Sequence, residues 1–187
     1  MRKEIARQLI HALAGTLFLA MIYFLGVAQT AIISTAILII GLIFAYLIYH
    51  GFKIPLISQI VDFVERDYER HFPGRGAFLF VASLVLACLI FREKMVVLGA
   101  MIVLVYGDAV STLIGKPFGK IKITKLTLEG TIAGIIVSFA ALSWFFSWQI
   151  AVPVAIIGML AEYLPFDDNF TIPLVSGTVI LAITLLL

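Results

Sequence analysis

Asp108, Glu129 and Glu162 are the residues of this sequence best placed to do chemistry, because each stands within or at the end of an apolar run long enough to lie in a membrane. A carboxylate at that depth is costly unless it is paired, metal-bound or protonated. Asp167 and Asp168 follow Glu162 closely, in Asp167-Asp168-Asn169, and Lys116, Lys120, Lys122 and Lys125 crowd the stretch between Asp108 and Glu129. Carboxylates alone would repel one another, and lysines alone would bind phosphate without a metal. Together they suit a magnesium–nucleotide complex, in which the metal takes one or two carboxylates plus phosphate oxygens and water while the lysines neutralise the remaining charge. Asp108 lies deepest, where a membrane-borne substrate would arrive, and is the first candidate for the metal or for a proton. Glu129 and Asp168 are the next metal candidates, with Asp167 behind them. Adjacent carboxylates on a helix cannot both face one ion, so one ligand and one supporting partner are expected of Asp167 and Asp168.

The stretch from Gly107 to Lys120 reads as a loop between two spans, with glycines where a backbone could approach an anion. It is no P-loop: Gly-x4-Gly-Lys-Ser/Thr is absent, and so is Gly-x-Gly-x-x-Gly. Gly115 and Gly119, taken alone, are more often a turn or a close helix contact than an anion site. Gly130, Ala133, Gly134, Ser138 and Ala140 on the following span permit close helix approach. His11, just inside the first span, could be a base or a donor to a ligand, or be satisfied by a neighbouring helix. Asn169 and Thr171 could hydrogen-bond a ligand or cap the last helix, and capping is the commoner use. Glu162 could support the site or pair with a basic residue.

The elements that must position these groups are membrane helices. The chain has 187 residues, is 63% hydrophobic and only 13% charged, with a mean hydropathy of +1.15. Soluble domains carry about 45–50% apolar and about 25% charged residues, so the bilayer must be the solvent. Apolar runs predict helices at about 9–27, 31–50, 76–91, 95–114, 129–148, 150–164 and 171–187, the third and sixth being short. The fold class is therefore an all-α integral membrane protein of about seven transmembrane helices in a single polytopic domain, 1–187. Basic residues set its orientation. With the N-terminus inside, eleven of them (Arg2, Lys3, Arg7, Lys53, Arg66, Arg70, Arg75, Lys116, Lys120, Lys122 and Lys125) face the cytoplasm, and only Arg92 and Lys94 lie outside. The acidic candidates fall on the cytoplasmic side too. Between spans two and three, over 52–72, Ile57, Ile60, Val61, Val64 and Tyr68 recur at helical spacing opposite Asp62, Glu65, Arg66, Glu69 and Arg70. That pattern predicts a short interfacial amphipathic helix. The one cysteine, Cys88, lies in an apolar run, which excludes a disulfide within the chain and predicts a buried, inert thiol. A net charge of +2 is too small to suggest nucleic acid. No cleavable signal peptide is expected.

Four separated motifs carry a resemblance. Gly107-Asp108 with Gly115, Gly119 and the lysines, and Thr127-Leu128-Glu129-Gly130, resemble the signature of the CTP-dependent polyprenol kinase family, which includes dolichol, phytol and diacylglycerol kinases. Glu162-Tyr163-Leu164-Pro165 with Asp167-Asp168-Asn169-Phe170-Thr171-Ile172-Pro173-Leu174 is similar to the family's late acidic motif. Arg7 with His11 and Gly15 resembles the N-terminal one, and Arg75-Gly76 is a weaker echo of a basic-glycine pair. The resemblance covers Arg7 to Gly177. The chain departs from the family in having Arg7-Gln8 where Arg-Lys is usual, Ser111 at a position usually small and apolar, and a displaced lysine in Lys125-Leu126-Thr127.

The resemblance implies transfer of the γ-phosphoryl group of CTP, with Mg2+, to the terminal hydroxyl of an isoprenoid or other lipid alcohol at the cytoplasmic face. It implies that Asp108, Asp168 and His11 are the candidate catalytic groups and that Asp108, Glu129, Asp167 and Asp168 are the candidate metal ligands. Arg7, Arg75, Gly115, Lys116, Gly119, Lys120, Lys122, Lys125, Thr127 and Asn169 would hold the nucleotide. Cytoplasmic loops collect Lys without any ligand, so each lysine singly is equally well a product of topology. The expected partners are CTP, the lipid alcohol and the bilayer, not nucleic acid, with self-association left open. Two other readings compete: a cytidylyltransferase making a CDP-lipid, and a small proton- or cation-coupled transporter. Against the transporter, the carboxylates gather at one face and form no path across.

Overall fold

The computed structural model describes residues 2–52, 54–55, 72–124 and 126–186. Within them the helices are α1 Arg2–Leu25, α2 Val27–Tyr49, α3 Arg75–Phe91, α4 Lys94–Ile102, α5 Ala109–Phe118, α6 Leu128–Leu142, α7 Trp148–Leu160 and α8 Asp168–Leu186. A π-helix, Val103–Asp108, joins α4 to α5, and a 3-10 turn, Ala161–Tyr163, closes α7. The only strands among these residues are β1 Lys122–Ile123 and β2 Leu126–Thr127, an antiparallel ribbon pairing Lys122 with Thr127 and Ile123 with Leu126. The all-α expectation holds. The interfacial helix expected over 52–72 falls largely outside the described residues.

Among the described residues four helices are long and apolar enough to cross a membrane: Lys3–Leu25, Val27–Tyr49, Lys94–Phe118 and Asp168–Leu186. Three shorter apolar helices accompany them, Arg75–Phe91, Leu128–Leu142 and Trp148–Tyr163. Several boundaries differ from expectation, each for a local reason. The second helix starts at Val27, not 31, because Gly26 turns the chain in one residue at φ 87, a conformation only glycine adopts without strain. The fifth apolar run, expected to 148, stops at Leu142. There the Ser143 amide and hydroxyl both return to the Phe139 carbonyl, and the chain turns before α7. The supposed loop from Gly107 is helical as far as Phe118, so only Gly119 onward leaves the helix.

Lys94–Phe118 is the central element, the most deeply buried of the four long helices. Val97, Val103, Leu104 and Val105 on it are wholly buried, whereas Leu13 and Leu17 of α1 and Ile32 of α2 turn outward, as lipid-facing positions would. Close contact is secured by small residues. Gly107, Ser111 and Gly115 recur every four residues and meet Gly130, Gly134 and Ser138, which recur likewise on α6. A Cβ on Gly130 would sit 2.6 Å from the Ser111 carbonyl oxygen and 2.9 Å from the Gly115 Cα. On the other side, Gly15 lets α1 lie directly against Val105. Such close packing replaces the hydrophobic driving force that lipid cannot provide.

The ends of the bundle differ in chemistry. At one, Tyr23 packs edge-on to Phe145 and lies under the Lys94 ammonium, 5.1 Å from it, with exposed Trp144 and Trp148 nearby in sequence. At the other are the start of α1, the end of α5, the hairpin, the start of α6, the end of α7 and the start of α8. Cys88 is buried, as expected.

Candidate active site at the polar end of the bundle

The polar end is assembled around the π-helix. A π turn shifts the backbone hydrogen-bond register within a helix and is frequent at functional sites. Here the Leu104 carbonyl accepts a hydrogen bond from His11 Nε2 at 3.3 Å, so His11 is tied to the central helix. Its ring also packs edge-on against Phe80 of α3, with centroids 4.8 Å apart. One turn further along α1, Thr16 gives its hydroxyl proton to the Ala12 carbonyl, so the 3.0 Å contact with Tyr106 is a donation from the Tyr106 hydroxyl. Asp108, half-buried, is the last residue of the π-helix. The same irregular turn that receives α1 therefore presents this carboxylate.

Glu4, Arg7, His11 and Gly15 lie on one face of α1. Glu4 accepts from Arg7 in a close ion pair, and its other oxygen lies 2.8 Å from the Lys116 ammonium at the end of α5. Lys116 also complements the negative end of its own helix. The Arg7 Nε is buried and has no hydrogen-bond partner among the described residues.

Glu162, 2% exposed, accepts from Ser111 Oγ at 3.2 Å. Beside it, Tyr163 meets Thr131 at 2.8 Å, and Thr131 in turn donates to the Thr127 carbonyl. Thr127 caps α6, its hydroxyl accepting from Gly130 N at 3.3 Å. It also fills the space that a side chain on Gly115 or Gly119 would need. Both glycines thus pack closely against the cap. The Glu129 carboxylate accepts from Ile121 N at 3.2 and 3.3 Å, pinning the hairpin to the start of α6.

Asp167 precedes α8 and caps it, accepting from Asn169 N at 3.1 Å, while its carbonyl receives Phe170 and Thr171. The Asn169 amide also reaches Asp167 Oδ1 at 2.9 Å and Asp168 Oδ1 at 3.4 Å, so one oxygen of each carboxylate turns toward the same donor. Pro173 has no N–H, so it cannot close the helical bond to the Asn169 carbonyl one turn earlier.

The structure thus gathers Arg7, His11, Asp108, Lys116, Thr127, Asp167, Asp168 and Asn169 at one end of the bundle, but it does not merge the carboxylates into one cluster. Among the described residues no three His, Cys, Asp or Glu side chains stand close enough to hold a metal. Glu129 and Glu162 are drawn instead to the Ile121 amide and the Ser111 hydroxyl. Lys120 and Lys122 are exposed on the hairpin approach, Arg75 is exposed at the start of α3, and Lys125 lies outside the described residues. Sequence reasoning passed over Glu4, whose signal was an acid three residues before Arg7 in the first turn of a helix. It also passed over the Tyr163–Thr131 and Tyr106–Thr16 contacts, which no spacing announces.

Over 94% of its length the chain is 26% identical to phytol kinase 1, chloroplastic, of Arabidopsis thaliana, and over 96% it is 23% identical to probable phytol kinase 1, chloroplastic, of Glycine max. It spans 65% and 67% of the lengths of these relatives. These homologues support the resemblance to the polyprenol kinases, phytol kinases among them. No protein-family model and no solved structure matches the chain.

Proposed function

We propose that this protein is a membrane lipid-alcohol kinase that transfers the γ-phosphoryl group of CTP to the terminal hydroxyl of an isoprenoid alcohol such as phytol or geranylgeraniol. The observation that carries the reading is similarity to phytol kinases over nearly the whole chain, joined to a polar end in which cations and carboxylates face each other across apolar helices. The cytoplasmic placement of that end rests on the basic-residue bias.

Arg7 and Lys116 are the cations placed to neutralise phosphate oxygens, with Lys120 and Lys122 on the hairpin drawing the nucleotide in. Asp168 would hold Mg2+ with Asp167 as its supporting partner, and the ion would supply further neutralisation of the polyphosphate when bound. The residues fit that ion: Mg2+ takes one or two carboxylates and leaves its other positions to phosphate and water, so a cage of three protein ligands is not required. Asp108 is half-buried beside wholly buried apolar residues, where an alcohol arriving from the bilayer meets its first carboxylate. It takes the hydroxyl proton as the alcohol oxygen bonds to the γ-phosphorus and the bond to the β-bridging oxygen breaks, leaving CDP. His11, tied to the Leu104 carbonyl, holds the turn that presents Asp108.

The test is transfer from γ-labelled CTP, with labelled ATP in parallel, to phytol, geranylgeraniol, dolichol and diacylglycerol in magnesium-containing micelles. Labelled isoprenyl phosphate from CTP is the expected result. Cytidylyl transfer would instead leave the γ-label in pyrophosphate, and failure of the preparation to bind nucleotide would remove the kinase reading.

A further inference from the structure

We propose that Glu4 is a built-in counter-ion for the phosphate-binding cations, a carboxylate that occupies Arg7 and Lys116 until the polyphosphate displaces it. The inference rests on the reading of Arg7 and Lys116 given above. One carboxylate serves both cations: Arg7 holds one oxygen, and the Lys116 ammonium lies 2.8 Å from the other. The two cations belong to different helices, α1 and α5, and would repel each other without it. The contact is also poised to open. The Lys116 side chain is 52% exposed and that of Glu4 20%, so the Lys116 arm of the contact opens to solvent, where an incoming anion can compete for the ammonium. The buried Arg7 Nε, without a partner among the described residues, adds a donor that a new acceptor can satisfy.

A polyphosphate carries several negative charges and presents many acceptor oxygens, so it outcompetes a single carboxylate for the same cations. Glu4 thereby sets the affinity of the site. With it, the empty site is neutralised in part and keeps its geometry. Without its charge, the cations stand ready for any anion, and binding tightens while selectivity for the fully charged polyphosphate falls. Glu4 is thus a positioning and tuning residue that acts through Arg7 and Lys116 and leaves the reacting atoms untouched.

The experiment measures equilibrium binding of CTP, inorganic tripolyphosphate and inorganic phosphate to the full chain in detergent for wild type, Glu4→Gln, Glu4→Asp, Lys116→Ala and the double variant Glu4→Gln/Lys116→Ala. Glu4→Gln keeps the shape and an acceptor oxygen, and Glu4→Asp keeps the charge as a second check on folding. The expected result is tripolyphosphate and CTP binding about threefold to tenfold tighter in Glu4→Gln, near wild type in Glu4→Asp, and with the gain abolished when Lys116 is also replaced. Weaker or unchanged binding in Glu4→Gln, with Lys116→Ala still impaired, overturns the counter-ion role and leaves the site assignment standing. Unchanged binding in Lys116→Ala overturns the site assignment and the inference with it.

Discussion

Ser111 Oγ donates to Glu162 Oε2 at 3.2 Å, joining the central helix to the end of α7 at a point where both side chains are buried. The Ser111 hydroxyl thus solvates a carboxylate that the packing has taken out of water. Ser111→Ala removes the donor and leaves the acceptor behind, so stability should fall by about 1–3 kcal/mol. Chemical unfolding in detergent measures it, and an unchanged midpoint would show that the hydrogen bond contributes nothing.

The small-residue seam between the central helix and α6 makes a second prediction. A methyl group on Gly130 meets backbone on the other helix, which cannot rotate away, so Gly130→Ala should cost about 1–3 kcal/mol and reduce transfer by displacing the Thr127 cap. Gly41 on α2 has nothing within 4 Å of the same added atom, and Gly41→Ala should be neutral or stabilising by up to about 1 kcal/mol. Equal losses in the two variants would mean that glycine matters here for flexibility and not for contact.

Glu129 is expected to act through the hairpin. Its carboxylate receives the Ile121 amide, so Glu129→Ala should loosen the segment carrying Lys120 and Lys122. Tryptic cleavage at those lysines should accelerate severalfold while α6 remains folded. If Glu129 is a metal ligand instead, its loss would raise the Mg2+ requirement without changing the cleavage rate.

The two tryptophans, Trp144 and Trp148, flank Phe145, whose ring meets Tyr23, at the end of the bundle away from the site. Aromatic side chains of this kind settle at the membrane interface. Their fluorescence should be quenched most by lipids brominated near the headgroup, and a water-soluble maleimide should label Trp144→Cys and Lys120→Cys from opposite faces of sealed vesicles. Cys88 is buried and should stay unlabelled. Labelling of both from one face would contradict the orientation.

The architecture was largely legible because long apolar runs leave the chain few choices, and the central helix announced itself by carrying Asp108 in the middle of such a run. The π turn at Val103–Asp108 was not legible, since it lies inside an unbroken apolar run with no local residue that marks a change of helical register. Gly115 and Gly119 read more readily as a turn or close helix contact than as an anion site, but that their packing partner is Thr127 could not be read from the sequence. The carboxylates could be assigned to one end of the bundle, but not to their partners: Glu129 to an amide eight residues away, Glu162 to a hydroxyl across 51 residues of chain. Glu4 escaped attention because its second partner, Lys116, is supplied by a different helix.

The most direct measurement of the central claim is phosphoryl transfer from γ-labelled CTP to phytol or geranylgeraniol by wild type and Asp108→Asn, with nucleotide binding and thermal unfolding followed on the same preparations. The account predicts labelled isoprenyl phosphate with the wild type, and a loss of at least about a hundredfold in turnover with Asp108→Asn, while the variant folds and binds CTP. Normal turnover by a folded Asp108→Asn protein would contradict it.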